Sequence, residues 1–178
     1  MTDPAITTLL GGAFALLFAS AAFHKIRGLA QFAAVFSAYR ITPAGWPLAP
    51  LVPLIEFSLA VGLLFPATRA AAALGGALLL LLYAAAIALN LQRGRRDLSC
   101  GCGGPDERRV IAPWMVARNA ALAMVLAAAT LSPGPRPLQA VDLLTVAGGM
   151  AVAALLYMSA DRLLGRILPR TALWERGP

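Results

Sequence analysis

The sequence is short of charge, of histidine and of cysteine, and each shortage excludes something. Only 13% of its 178 residues are charged while 60% are hydrophobic. That leaves too little polar surface to solvate a soluble domain of this size. The single histidine, His24, is far in sequence from both cysteines, so two thiolates and no nearby imidazole fall short of a tetrahedral zinc site. No polar stretch is long enough to form a soluble domain, and no internal repeat is visible. The net charge of +7 does not point to nucleic acid, because the arginines stand in short clusters flanking apolar blocks.

What is present is a series of apolar blocks, at about 5–22, 48–65, 70–91, 113–131 and 140–157, of the length that spans a bilayer. The first lacks a basic leader and carries Asp3, so it reads as a span rather than a cleaved signal. Between the first two blocks, Leu29, Phe32, Ala33, Phe36 and Tyr39 recur at helical spacing, which predicts an amphipathic helix lying along the interface. The expected fold class is all-α, a polytopic transmembrane helical bundle in residues 1–160 with a basic tail over 161–178. Five spans place the 24–47 loop, the 92–112 loop and the tail on one side. Nearly all Lys and Arg collect there, and the charge bias makes that side cytoplasmic.

Chemistry is concentrated at Ser99-Cys100-Gly101-Cys102-Gly103-Gly104, which holds both cysteines of the chain. Cysteines at i and i+2 lie near the upper end of the bridging range, and so small a ring would be strained and easily reduced. The glycines leave room for an approaching thiol. The pattern reads first as a redox dithiol with Cys100 and Cys102 as the exchanging pair. A soft-metal site and a simple structural role stand beside it as alternatives.

Glu56 and Arg118 come next. An ionisable side chain inside a span is a functional candidate by default and needs a partner. The second and fourth blocks start from the cysteine side, so both residues are expected at similar depth, paired with each other. Asn119, Asn90 and Lys25 are expected in the same polar layer, with Tyr39 at its edge. Such a cluster serves equally as a clamp between helices or as a proton acceptor beneath the thiols.

Taken together, Lys25-Ile26-Arg27, Tyr39-Arg40 with Pro43, Glu56, the Cys100-Gly101-Cys102 loop and Arg118-Asn119 resemble the MauE-type methylamine-utilisation membrane proteins, within the broader DoxX-like group. The resemblance implies a four-helix membrane core in the inner membrane and a role in redox maturation of exported proteins. It implies a thioredoxin-like partner or a disulfide-containing client, and it raises a quinone as electron carrier for a thiol–disulfide oxidoreductase. Maturation of exported proteins wants the dithiol outside, whereas the charge bias puts it inside. The rival functions are a thiophilic-metal or small-solute transporter and a structural subunit of a membrane redox complex.

Overall fold

A computed structural model describes residues 3–40, 45–99, 110–128, 130 and 136–174, and their side chains except at 45, 46 and 165–174. Cys100 and Cys102 lie outside the described residues. The elements are α1 (Pro4–Arg27), α2 (Leu29–Ala38), α3 (Gly45–Leu48), α4 (Leu51–Leu64), α5 (Pro66–Gln92), α6 (Pro113–Ala128) and α7 (Ala140–Trp174).

Proline sets several of the starts. Pro4, Pro66 and Pro113 each occupy the first helical position, where a missing N–H costs nothing. Asp3 completes the α1 start, its carboxylate accepting from the Ala5 amide at 2.8 Å. Ahead of Pro66, Phe65 is forced into the extended region and breaks α4 from α5. The exposed carbonyls at the end of α4 are then served by the next helix. Thr68 donates to the Gly62 carbonyl at 2.8 Å and Arg69 Nε to the Leu63 carbonyl at 3.2 Å.

Helices α1, α4, α5 and α6 form a closed ring, with α4 packed on α1 and α5, α6 packed on α5, and α1 touching α6. Each contributes one seam at helical spacing. On α1 the buried positions are Thr7, Gly11, Phe14, Ala15, Phe18, Ala22 and Lys25; on α4 they are Pro53, Glu56, Ala60 and Leu63. On α6 they are Met115, Asn119, Ala123 and Leu126. The apolar part of these seams is one cluster around Phe18, Leu63, Leu80 and Leu126. Gly76 lets α5 approach, since a Cβ there would come within 2.8 Å of both Leu126 and Phe18. The outer surface carries exposed Leu, Ile, Phe and Val on every long helix, as expected of a bundle solvated by lipid.

This is an all-helical membrane bundle. Helices α1, α5 and α7 are long and apolar enough to cross a membrane. The second and fourth expected spans are shorter: α4 has 14 residues and α6 has 16, about 21 and 24 Å against a hydrocarbon core of roughly 30 Å. α7 packs chiefly on α1 and lies outside the ring. The expected basic tail continues this helix through Trp174.

Ion pairs fix the two ends. At the far end Arg136 bonds Asp142 at 2.8 Å and Asp3 at 3.0 Å, bringing the start of α7 beside the start of α1. The Ala5 amide, and after it Arg136, hold the Asp3 carboxyl below its ordinary range. At the loop end Arg118 of α6 bonds Asp161 of α7 at 2.6 Å.

Candidate functional site

The polar residues form two layers at the Ser99–Val110 end of the ring. The upper one closes the loop at its base. Ser99 and Val110 make an antiparallel bridge, and the Ile111 amide donates to the Leu98 carbonyl at 2.9 Å. Tyr39, at the end of α2, donates its hydroxyl to the Ser99 carbonyl at 3.2 Å. The residue held is the one immediately before Cys100. Burial among Ile87, Ile111 and Met115 pushes the Tyr39 hydroxyl up to about 12, so it stays a donor at neutral pH.

Asn90 and Arg95 lock α2 to the end of α5. Asn90 is fully buried and satisfied: its Nδ2 donates to the Tyr39 carbonyl at 3.3 Å and the Ala86 carbonyl at 3.0 Å, and its Oδ1 accepts from Arg95 at 3.0 Å. Arg95 also donates to the Ala38 carbonyl at 2.7 Å. A helix C-terminus presents unpaired carbonyls and a partial negative charge, and here a guanidinium and an amide answer both.

The lower layer is a buried ion pair inside the ring. Lys25 Nζ bonds Glu56 Oε1 at 2.6 Å, with the two side chains only 4% and 1% exposed. Tyr83 of α5 donates its hydroxyl to the same oxygen at 2.8 Å. The ammonium also lies 5.5 Å from the ring centroids of Phe32 and of Tyr83, within cation–π range. Glu56 Oε2 and Asn119 Nδ2 are buried without a hydrogen-bond partner among the described residues.

The expected Glu56–Arg118 pair is therefore corrected: Glu56 pairs with Lys25 and Tyr83, and Arg118 with Asp161. Two features of helix geometry explain this. Side chains lean toward their own helix N-terminus. Lys25, late in α1, therefore reaches down into the bundle, while Glu56, early in α4, leans up to meet it. Arg118 is about 100° round from the inward-facing Asn119, so it turns to α7 and stacks its guanidinium 5.3 Å from the Trp114 ring.

Lys25, Glu56 and Asn119 thus line the interior, Tyr39 and Asn90 hold the loop base, and Cys100 and Cys102 lie outside the described residues. Tyr83 and Asp161 were not singled out in the sequence. The signal for Tyr83 was there, because Tyr83, Ile87 and Asn90 share one face of an otherwise apolar helix. Asp161 gave none, standing at the expected border of the tail.

Residues 3–132 match the family described as methylamine utilisation protein MauE. The methylamine utilization protein MauE of Paracoccus versutus is 41% identical over 168 residues, covering 93% of this chain and 90% of the relative. That of Paracoccus denitrificans is 35% identical over 175 residues, covering 97% and 94%. In Methylophilus methylotrophus the figures are 33% over 169 residues, 93% and 89%. No solved structure matches the chain. The family match takes in the whole four-helix ring with both polar layers, and the relatives align well past it into α7, so the chain belongs to the MauE family.

Proposed function

We propose that this chain is an accessory protein of methylamine utilisation, multi-pass in the inner membrane, that supports disulfide formation in a partner protein through Cys100 and Cys102. The family membership supports the first part. The second part rests on one observation: the backbone on either side of the 100–109 segment is clasped by the Ser99–Val110 bridge and by Tyr39. A redox loop profits from such a fixed base, because exchange requires an incoming thiolate to meet one sulfur in line. The arginines before the loop, Arg93, Arg95 and Arg96, favour a thiolate there.

In the oxidised state the pair passes its disulfide to a client dithiol. The client loses two S–H bonds and gains one S–S bond, while two electrons and two protons arrive on Cys100 and Cys102. A thioredoxin-like partner in its disulfide form then reoxidises the pair, taking the two electrons and two protons onto its own two cysteines. Both sulfurs are needed, since a lone thiol forms a mixed disulfide and cannot resolve it. Cys100→Ser and Cys102→Ser should each abolish client maturation while the protein stays in the membrane. One of them should trap a disulfide-linked complex with the client or the thioredoxin-like partner. Serine variants that support full maturation would end this reading.

A further inference from the structure

Around the ion pair, every helix of the ring gives a polar side chain to the interior: Lys25 from α1, Glu56 from α4, Tyr83 from α5 and Asn119 from α6. Asn119 is brought level with Tyr83 by the antiparallel register of α5 and α6. Leu126 lies over Gly76, and Met115 shares a buried cluster with Ile87. Asn119 and Tyr83 fall between those two meeting points.

Two atoms of this interior lack partners among the described residues, and they are complementary. Glu56 Oε2 is an acceptor on a side chain 1% exposed, and Asn119 Nδ2 is a donor on one 3% exposed. Leaving a buried carboxylate oxygen and a buried amide bare costs several kcal/mol in protein or lipid. A water lodged between the two would answer both, accepting from Asn119 and donating to Glu56, as buried waters commonly do for otherwise unsatisfied groups. The carboxylate is also asymmetric: Oε1 already takes two donors, from Lys25 and Tyr83, and Oε2 takes none. A proton arriving at Glu56 would attach at Oε2.

Neutralising Glu56 costs Lys25 its ion pair, and two aromatic faces offset part of that loss. Lys25 Nζ lies 5.5 Å from the ring centroids of Phe32 from α2 and Tyr83 from α5. The other titratable groups are accounted for. Arg118, beside Asn119, is ion-paired with Asp161 of α7, and His24 is exposed on the outside of α1.

We propose that Glu56 is a proton-binding site in the membrane core, taking up a proton at Oε2 from a water held by Asn119. The step is Glu-COO⁻ + H₃O⁺ → Glu-COOH + H₂O: one O–H bond forms on Glu56, one breaks on the water, and no electrons move. The inference does not depend on the cysteine chemistry.

The test is infrared difference spectroscopy of the full chain in lipid nanodiscs across a pH step, with ¹³C-labelled glutamate. The chain has three glutamates, Glu56, Glu107 and Glu175. A label-sensitive protonated-carboxyl band that rises on acidification, is lost in Glu56→Gln and persists in the Cys100→Ser/Cys102→Ser double variant supports the site. In Asn119→Leu the band should move towards the position of a carboxyl without a hydrogen-bonded neighbour; an unmoved band would overturn the role of Asn119. If Glu56→Gln does not fold, the Glu107→Gln/Glu175→Gln variant decides, because Glu56 is then its only labelled side chain. Absence of the band from that variant, or its survival in Glu56→Gln, would overturn the proposal.

Discussion

The Lys25–Glu56 pair allows a sharp double-mutant experiment, because each partner strands a different set of groups when it leaves. Replacing Lys25 by Met leaves Glu56 as a buried carboxylate with only the Tyr83 hydroxyl in support. Replacing Glu56 by Leu leaves Lys25 as a buried ammonium and Tyr83 as a buried donor without an acceptor. Breaking a buried ion pair from one side costs about 3–5 kcal/mol. The hydroxyl adds about 1–3 kcal/mol to the second case. Glu56→Leu should therefore be the worse single change. The double variant strands only the Tyr83 hydroxyl, so it should cost about 1–3 kcal/mol, less than either single one. Adding Tyr83→Phe should recover most of that remainder. The assay is reversible unfolding in mixed detergent micelles, followed by tryptophan fluorescence and far-ultraviolet dichroism. Additive losses at Lys25 and Glu56 would refute the pairing. The Glu56–Arg118 cycle serves as control and should be additive within about 0.5 kcal/mol, since the two belong to different pairs.

Three other outcomes follow from the same geometry. Gly76→Ala should destabilise by about 1–3 kcal/mol, because its Cβ meets the buried Leu126 and Phe18; Gly148→Ala, with open space around it, should be neutral or stabilise by up to about 1 kcal/mol, and thermal unfolding of the two variants compares them. Tyr39→Phe should loosen the loop base, read as faster hydrogen exchange at the Ile111 amide. The tyrosinate absorbance assigned to Tyr39 should rise near pH 12 instead of about 10. Because the folded-state value is raised, its contribution to stability is present below about pH 10 and is lost as the pH climbs towards 12. Asp161→Asn should free the loop end of α7 from α6, seen as earlier proteolysis beyond residue 161, and the swap Arg118→Asp with Asp161→Arg should restore protection.

Much of this was legible in the sequence, and what was not has physical causes. Apolar runs bounded by proline and by arginine clusters marked the helices, because the bilayer imposes length and proline imposes starts. The rarity of polar groups inside or beside those runs drew attention to Glu56, Asn119, Asn90 and Lys25, and all four are buried. Partnership was harder. Depth along a helix follows from counting residues, but azimuth follows from which neighbour packs where, and that is settled by the whole ring. Lys25 looked like a residue that ends the first span, yet it continues the Phe18–Ala22 seam and so turns inward. Arg118 looked like the natural mate for Glu56, but it is the neighbour of the inward position and not the position itself. Tyr83 shares its face with Ile87 and Asn90, but a hydroxyl on an aromatic ring adds little to the hydropathy pattern of a greasy helix. The shortness of α4 was hidden because apolar residues flanking Leu51–Leu64 extend the block beyond the helix.

The central claim is that the chain works as a dithiol carried on a clasped loop above a polar four-helix core. The most direct measurement is the redox state of Cys100 and Cys102 in intact membranes. Free thiols would be blocked under acid quench, disulfides reduced and labelled with a heavier reagent, and the pair read by mass spectrometry. Cells making the client should show both the reduced and the disulfide-linked form of one and the same pair, moving to the disulfide when the client is absent. A pair that stays reduced under every oxidant, with or without the client, would contradict the account.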